Sequence, residues 1–327
     1  MSERESVSKN RTGRWKTDGR IRAVNRFLLK WLIMFFLASV LIFWIVRMMP
    51  VTPAEMWLGA YNLPLTEENI AYITEKMGLD GPLILQYFAW MKSFLAGDWG
   101  YSLVSHVSIR EQFAEKLPLS LSIGLCGDLI GMAAAFFLGY RAAYRRQGFC
   151  DKLTKFLAVL SQAVPTFLLS ILIIQIFGVK FKIVKFFTGG EAASLTAAIL
   201  LTALSCTGVL ARVVRNAFRE EMQQSYVKFA VSMGFPRKQI LLRQAVRPVL
   251  CKLIAAVMSG FAWVFGGSTV LEFAFGIPGI SYFLVDSMKD RDYTVLQTYI
   301  LVVVIWMFLV HLVLNLILNR LDVRRRT

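Results

Sequence analysis

SYVKFAVSMGFPRKQILLRQAVRPVL, Ser225–Leu250, lies between two long apolar runs yet carries Lys228, Arg237, Lys238, Arg243 and Arg247. Tyr226, Phe229, Ala230 and Met233 recur at i, i+3, i+4 and i+7 spacing, which predicts a short amphipathic helix over Gln223–Met233. Gly234 follows, a residue that takes the left-handed conformation that stops a helix. Phe235-Pro236 then resets the chain, and a helix resumes over Arg237–Val246. A surface helix lying on anionic lipid favours Leu, Phe and Trp on its apolar face. Here that face is narrow, and Ala230 and Gly234 leave room for a partner's ridge. A basic helix–Gly–helix element between spans is presented to something on the cytoplasmic side.

Outward from this stretch the chain is dominated by apolar runs. Of its 327 residues 56% are hydrophobic, and runs such as FLLKWLIMFFLASVLIFWIV and YILVVVIWMFLVHLVLNLIL suffice to cross a hydrocarbon core of roughly 30 Å. Six spans are expected, near Phe27–Val46, Leu117–Tyr140, Phe156–Val179, Ser194–Val213, Val249–Leu271 and Thr298–Asn319. The chain is thus expected to be an all-α polytopic membrane protein in contact with the lipid bilayer. The first run is too long for a signal peptide and lacks a small-residue cleavage site, so it reads as an uncleaved span. Gly124, Gly127 and Gly131 in the second span and Gly260, Gly266 and Gly267 near the fifth are expected to let helices approach closely. Cys126, Cys150, Cys206 and Cys251 form no CxxC pair and read as small buried hydrophobes, not as a disulfide or zinc framework.

The net charge of +16 does not point to nucleic acid, because the basic residues flank the spans. Of the 37 Lys and Arg, 27 fall in the leader, the second and fourth connections and the tail. The positive-inside rule then puts both termini in the cytoplasm. The domain reading is a basic leader over 1–26, a transmembrane domain over 27–319 and a basic tail over 320–327. The transmembrane domain holds an outer loop at 48–116 and a cytoplasmic loop at 214–248. In the outer loop, Thr66-Glu67-Glu68-Asn69 opens a helix that Gly78 closes. A second amphipathic piece over Pro82–Leu95 carries Tyr87, Trp90 and Phe94, residues suited to a membrane interface. Glu272–Gln297, broken by Gly276, Pro278 and Gly279, reads as a re-entrant or outer-surface connection.

No G-x-x-x-x-G-K-[ST] phosphate loop occurs, so the chain does not cradle a nucleotide phosphate by that route and any ATPase would be a separate subunit. His106 and His311 make no metalloprotease pattern, and no G-x-S-x-G is present. No catalytic residue, cofactor or metal site is expected. Asp128 in the second span and His311 in the sixth are polar groups inside the membrane, hence candidate pathway residues, with a helix–helix hydrogen bond as the structural alternative. A membrane-embedded enzyme would need paired catalytic groups at one depth, and a channel would not need the basic loop.

The loop resembles the EAA-type motif of ABC importer permeases, in the form used by the peptide/nickel family. Tyr226, Val227, Lys228, Ala230 and Gly234 match its first part and Ala245, Val246 and Arg247 its second. The resemblance continues in LDGPLILQYFAW, GDWGYS, GIPGISYFLVDSMKDRDYTVLQ and LDVRRR, in the family's order. Ser225 replaces the usual acidic residue, Pro248 the usual Asn, and Cys251-Lys252 stand where a Pro is common. The connection Lys180–Ala193 is also shorter than usual. The resemblance implies the type I ABC importer permease fold and a transport subunit rather than an enzyme. It implies a second permease chain, related but different, two cytoplasmic ATPase subunits and an extracytoplasmic binding protein. Tyr226, Val227, Lys228, Ala230, Met233, Gly234 and Arg247 are then the expected ATPase-docking residues. The implied cargo is a short peptide, with nickel or a metal–chelator complex as the alternative, to which AYNLPLTEEN leans slightly.

Overall fold

The structure is a computed structural model and describes residues 2–187, 191–260 and 268–321. Among these the regular elements are helical, and the sole β-type pairing is an isolated bridge between Tyr101 and Ser108. Helix α1 runs Ser2–Arg47, α2 Pro53–Ala60, α3 Glu67–Lys76 and α4 Leu83–Leu95. Next come α5 Ile109–Leu121, α6 Gly127–Tyr144, α7 Phe149–Ala163 and α8 Thr166–Ile173. Helix α9 covers Glu191–Glu221, α10 Ser225–Ser232, α11 Arg237–Ile240 and α12 Val246–Gly260. The last three are α13 Ser268–Phe275, α14 Ile280–Lys289 and α15 Tyr293–Leu321. Contacts divide the chain into two compact units, one taking in α1–α4 and Leu296–Phe308, the other α5–α14 and the residues from Leu309.

Local chemistry sets the boundaries. Thr52 and Glu55 form a reciprocal capping box at α2, with Glu55 N–H donating to Thr52 Oγ1 at 3.2 Å and Thr52 N–H to Glu55 Oε2 at 2.6 Å. Thr66 caps α3, whose first turn is acidic, and Gly78 at φ 65° ends it, as the sequence predicts. On α4, Tyr87 and Trp90 pack edge-on and tilted against Phe43 of α1, and Tyr87 shares a 2.8 Å hydrogen bond with Ser39. These aromatics fasten α4 to α1, a use that interfacial patterning does not reveal. In the same unit Phe308 lies against Phe27 and Trp31.

Four helices are long and apolar enough to cross a membrane: Asn25–Arg47, Ile109–Tyr144, Ala192–Glu221 and Tyr293–Leu318. Two bent pairs raise the number to six if each is one span, but these are not the six expected: Val249–Leu271 is not among them, and the second pair falls largely in the expected Glu272–Gln297 connection. The third predicted span, Phe156–Val179, is one of these pairs, with α7 and α8 bent by 100°. Pro165 causes the break: it forces Val164 to an extended φ −106°, ψ 116° and opens α8 as its cap. The fifth predicted span, Val249–Leu271, has helix on both sides, in α12 and α13, but residues 261–267, with Gly266 and Gly267, lie outside the described residues. So does most of the basic tail. The second bent pair is α13 and α14, turned by 84° at the Gly276–Gly279 break.

In the larger unit α6 lies against α9 along a seam of small residues. A Cβ on Gly127 would meet Thr202 at 2.6 Å, and one on Gly131 would meet Cys206 at 2.8 Å. The expected close approach is therefore real at both glycines. Around the seam Ala135, Ala143, Leu210, Ala211, Val214 and Phe218 are buried together with Leu241, Ala245 and Val249 from α12 and the turn before it. The four cysteines, all among the described residues, form no disulfide, and they are not the buried hydrophobes expected from the sequence. Cys126 is exposed and Cys150, Cys206 and Cys251 are half-buried, Cys206 at the seam beside Gly131.

Candidate functional site

The basic stretch folds as a helical hairpin. The α10 helix begins after extended Gln224, and Met233 N–H closes it onto Phe229 O at 3.0 Å. Gly234 turns at φ 81°, and Phe235 N–H returns to Ala230 O at 3.2 Å, which satisfies carbonyls the helix end would leave open. Pro236 starts α11, whose helix continues through a π turn at Leu241–Ala245 into α12. Helix, glycine turn and restart match the sequence reading, with α10 starting two residues later and ending one earlier than predicted.

The helix face is rotated from the expected one. Val227 and Ala230 are buried against Ile240 inside the hairpin, with Met222 packed beside them. Ala230 therefore offers no room to a partner, because α11 fills it. What the hairpin presents is Phe229, Val231, Met233 and Phe235, which are 67%, 54%, 63% and 45% exposed. Lys228 is exposed on α10 and Arg247 on α12. Tyr226 is turned back, its hydroxyl donating to Glu221 Oε2 on α9 at 2.7 Å.

The base of the hairpin is tied by charge. Lys252 of α12 meets Glu220 at 2.6 Å and Glu221 at 3.8 Å. Arg237 donates to Ala143 O at the end of α6 at 3.4 Å. Nearby, Asp151 of α7 is buried and takes hydrogen bonds from Arg215 and from Arg219, the latter at 3.0 Å. Arg219 also reaches Ala142 O at 3.3 Å, so one cluster holds α6, α7 and α9 together.

Asp128 sits on α6, half-buried and hydrogen-bonded to Cys206 of α9, the helix–helix contact weighed against a pathway role. His311 lies half-buried on α15. No group of three or more His, Cys, Asp or Glu able to hold a metal occurs among the described residues. Sequence reasoning missed Glu221, Asp151 and Glu272. Glu272 is fully buried at the α13–α14 bend, accepting from Ser120 Oγ at 2.6 Å and from Tyr282 N–H at 2.8 Å. A lone acid between Leu271 and Phe273 was its available signal.

Residues 135–327 match the family model described as the binding-protein-dependent transport system inner membrane component. Residues 21–124 match the model of the N-terminal part of such membrane components. The chain belongs to this family of ABC importer permeases. The permease is 30% identical over 253 residues to the dipeptide transport system permease protein DppB of Bacillus subtilis, covering 76% of this chain and 82% of that one. It is 26% identical to a probable peptide ABC transporter permease protein of Sinorhizobium fredii, over 89% of this chain and 94% of the relative. It is 28% identical to the glutathione transport system permease protein GsiC of Escherichia coli, over 86% and 91%. The permease is thus a transport subunit and not an enzyme, a multi-pass component of the inner membrane that works with ATPase and substrate-binding partners.

Proposed function

We propose that this permease carries short peptides, and that the exposed tip of the α10–α11 hairpin docks an ATPase subunit. The observation that carries the docking reading is the tip itself. Phe229, Met233 and Phe235 are exposed on a helix whose inner face is already filled by Val227, Ala230 and Ile240. Apolar side chains left outside a satisfied hairpin favour a protein groove, with exposed Lys228 adding charge on α10 and exposed Arg247 on α12. Both termini would lie on the same cytoplasmic side as the tip, and the partner would be a second, related permease chain. Transport would proceed by alternating access, with ATPase closure moving the hairpin and the spans following. Asp128 and His311 remain the pathway candidates. The peptide reading is supported by relatives whose names specify dipeptide, peptide and glutathione transport.

Cells lacking this chain should lose uptake of labelled di- and tripeptides and regain it with the wild-type copy. Unchanged peptide uptake with lost nickel uptake would overturn the cargo reading. Met233→Asp should leave the spans inserted but weaken co-purification of the ATPase subunits roughly tenfold or more, as expected when a charge enters an apolar hot spot. Undiminished co-purification would overturn the docking reading.

A further inference from the structure

Tyr226, Glu221 and Lys252 stand in line between the hairpin and two long helices. Tyr226 is on α10, Glu221 closes α9 and Lys252 is on α12. The tyrosine hydroxyl donates to Glu221 Oε2 at 2.7 Å, and Lys252 Nζ lies 3.8 Å from Glu221 Oε1 while bonding Glu220 Oε2 at 2.6 Å. Glu221 is 5% exposed, so its charge is shielded and its partners are held strongly, whereas Glu220 is largely in solvent. Tyr226 itself is 38% exposed and lies at the start of the docking helix. Met222 packs both against the hairpin cluster and against the bundle core, so the polar line has an apolar contact beside it.

We propose that Tyr226–Glu221–Lys252 is a coupling relay, with Tyr226 as a positioning residue that converts movement of α10 into movement of α9 and α12. The proposal rests on the docking reading and deepens it. A displaced α10 carries the Tyr226 hydroxyl with it, and the buried Glu221 carboxylate has to follow or lose its donor. Because Glu221 is fixed on α9 and paired to α12, the displacement reaches both helices together. Val227 and Ala230 pack on Ile240 within the hairpin and reach the bundle through Met222, an apolar contact that lacks the direction of a hydrogen bond.

The test uses the complete importer, reconstituted with its ATPase subunits, partner permease and binding protein, supplied with a labelled dipeptide. Tyr226→Phe removes one oxygen and keeps the ring. Peptide transported per ATP hydrolysed should fall about tenfold, the order of a lost hydrogen bond to a buried carboxylate. Glu221→Gln should lower the same ratio, and the double variant should be no worse than Glu221→Gln alone. An unchanged ratio with Tyr226→Phe, or losses that add in the double variant, would overturn the relay. Loss of ATPase co-purification with Tyr226→Phe would overturn it as well, by assigning the hydroxyl to the docking contact. Failure of the docking reading registers separately, as full co-purification with Met233→Asp.

Discussion

Gly234 and Gly131 both resist a bulkier residue, for opposite reasons. Gly234 has open space, with nothing within 4 Å of where a Cβ would stand, but its φ of 81° is a conformation that L side chains resist. Gly131 has an ordinary backbone and no space, since Cys206 and Ala203 O both lie 2.8 Å from where a Cβ would be. Substitution at Gly234 therefore sorts by backbone preference, not by size. Gly234→Asn should be nearly silent, because Asn tolerates the left-handed region, whereas Gly234→Val costs about 1–2 kcal/mol or more and loosens the turn. Peptide-stimulated ATP hydrolysis by the reconstituted complex should follow that order. Equal activity of the Val and Asn variants would count against the turn as the element that fixes the tip.

At the scale of elements, what the sequence made legible is what local chemistry decides. The helix–glycine–helix hairpin follows from spacing, Gly234 and Pro236, all within a short stretch of chain. Which face of α10 is buried depends on Ile240 folding back, and that hid the inward turn of Ala230. The apolar run over Phe156–Val179 was plain, but its 100° bend needed weight on Pro165. The clamp at Asp151 was out of reach, because Arg215 is 64 residues away in the chain. That clamp joins α7 to α9 through a carboxylate whose side chain is 2% exposed. Asp151→Asn keeps the shape and removes the charge, leaving Arg215 and Arg219 without their counter-ion. Arg215 and Arg219 are partly exposed, so water offsets part of the loss, and the change costs about 1.5–3 kcal/mol, the order of a hydrogen bond to a charged group. The purified permease should melt several degrees lower, with insertion unchanged, and a melting temperature equal to wild type would mean that the arginines find other partners.

At the scale of the molecule, both termini and the hairpin tip are expected on one side of the membrane, by the distribution of Lys and Arg. Single cysteines on a cysteine-free background test this in intact cells. Ser232 is exposed at the hairpin, and Glu68 is exposed on α3. Ser102 would be a poor reporter, because it is buried and bonded to Asp292 at 2.5 Å. A membrane-impermeant reagent should label Glu68→Cys and spare Ser232→Cys; the reverse pattern would invert the topology. In the background, Cys206→Ser suits best, since a hydroxyl preserves the bond to Asp128.

The seam between α6 and α9 has a mechanical consequence. At Gly127, Gly131 and Gly139 the α6 backbone lies directly against Thr202, Cys206 and Val214 of α9, with no long side chains between to bend or swing. Such a joint has very little compliance, because close-packed interiors transmit strain and do not absorb it. The two helices behave as one girder, stiff along its length. Elastic give has to be found elsewhere, at the Pro165 and Gly276 bends, which are the joints of this machine as the seam is its beam.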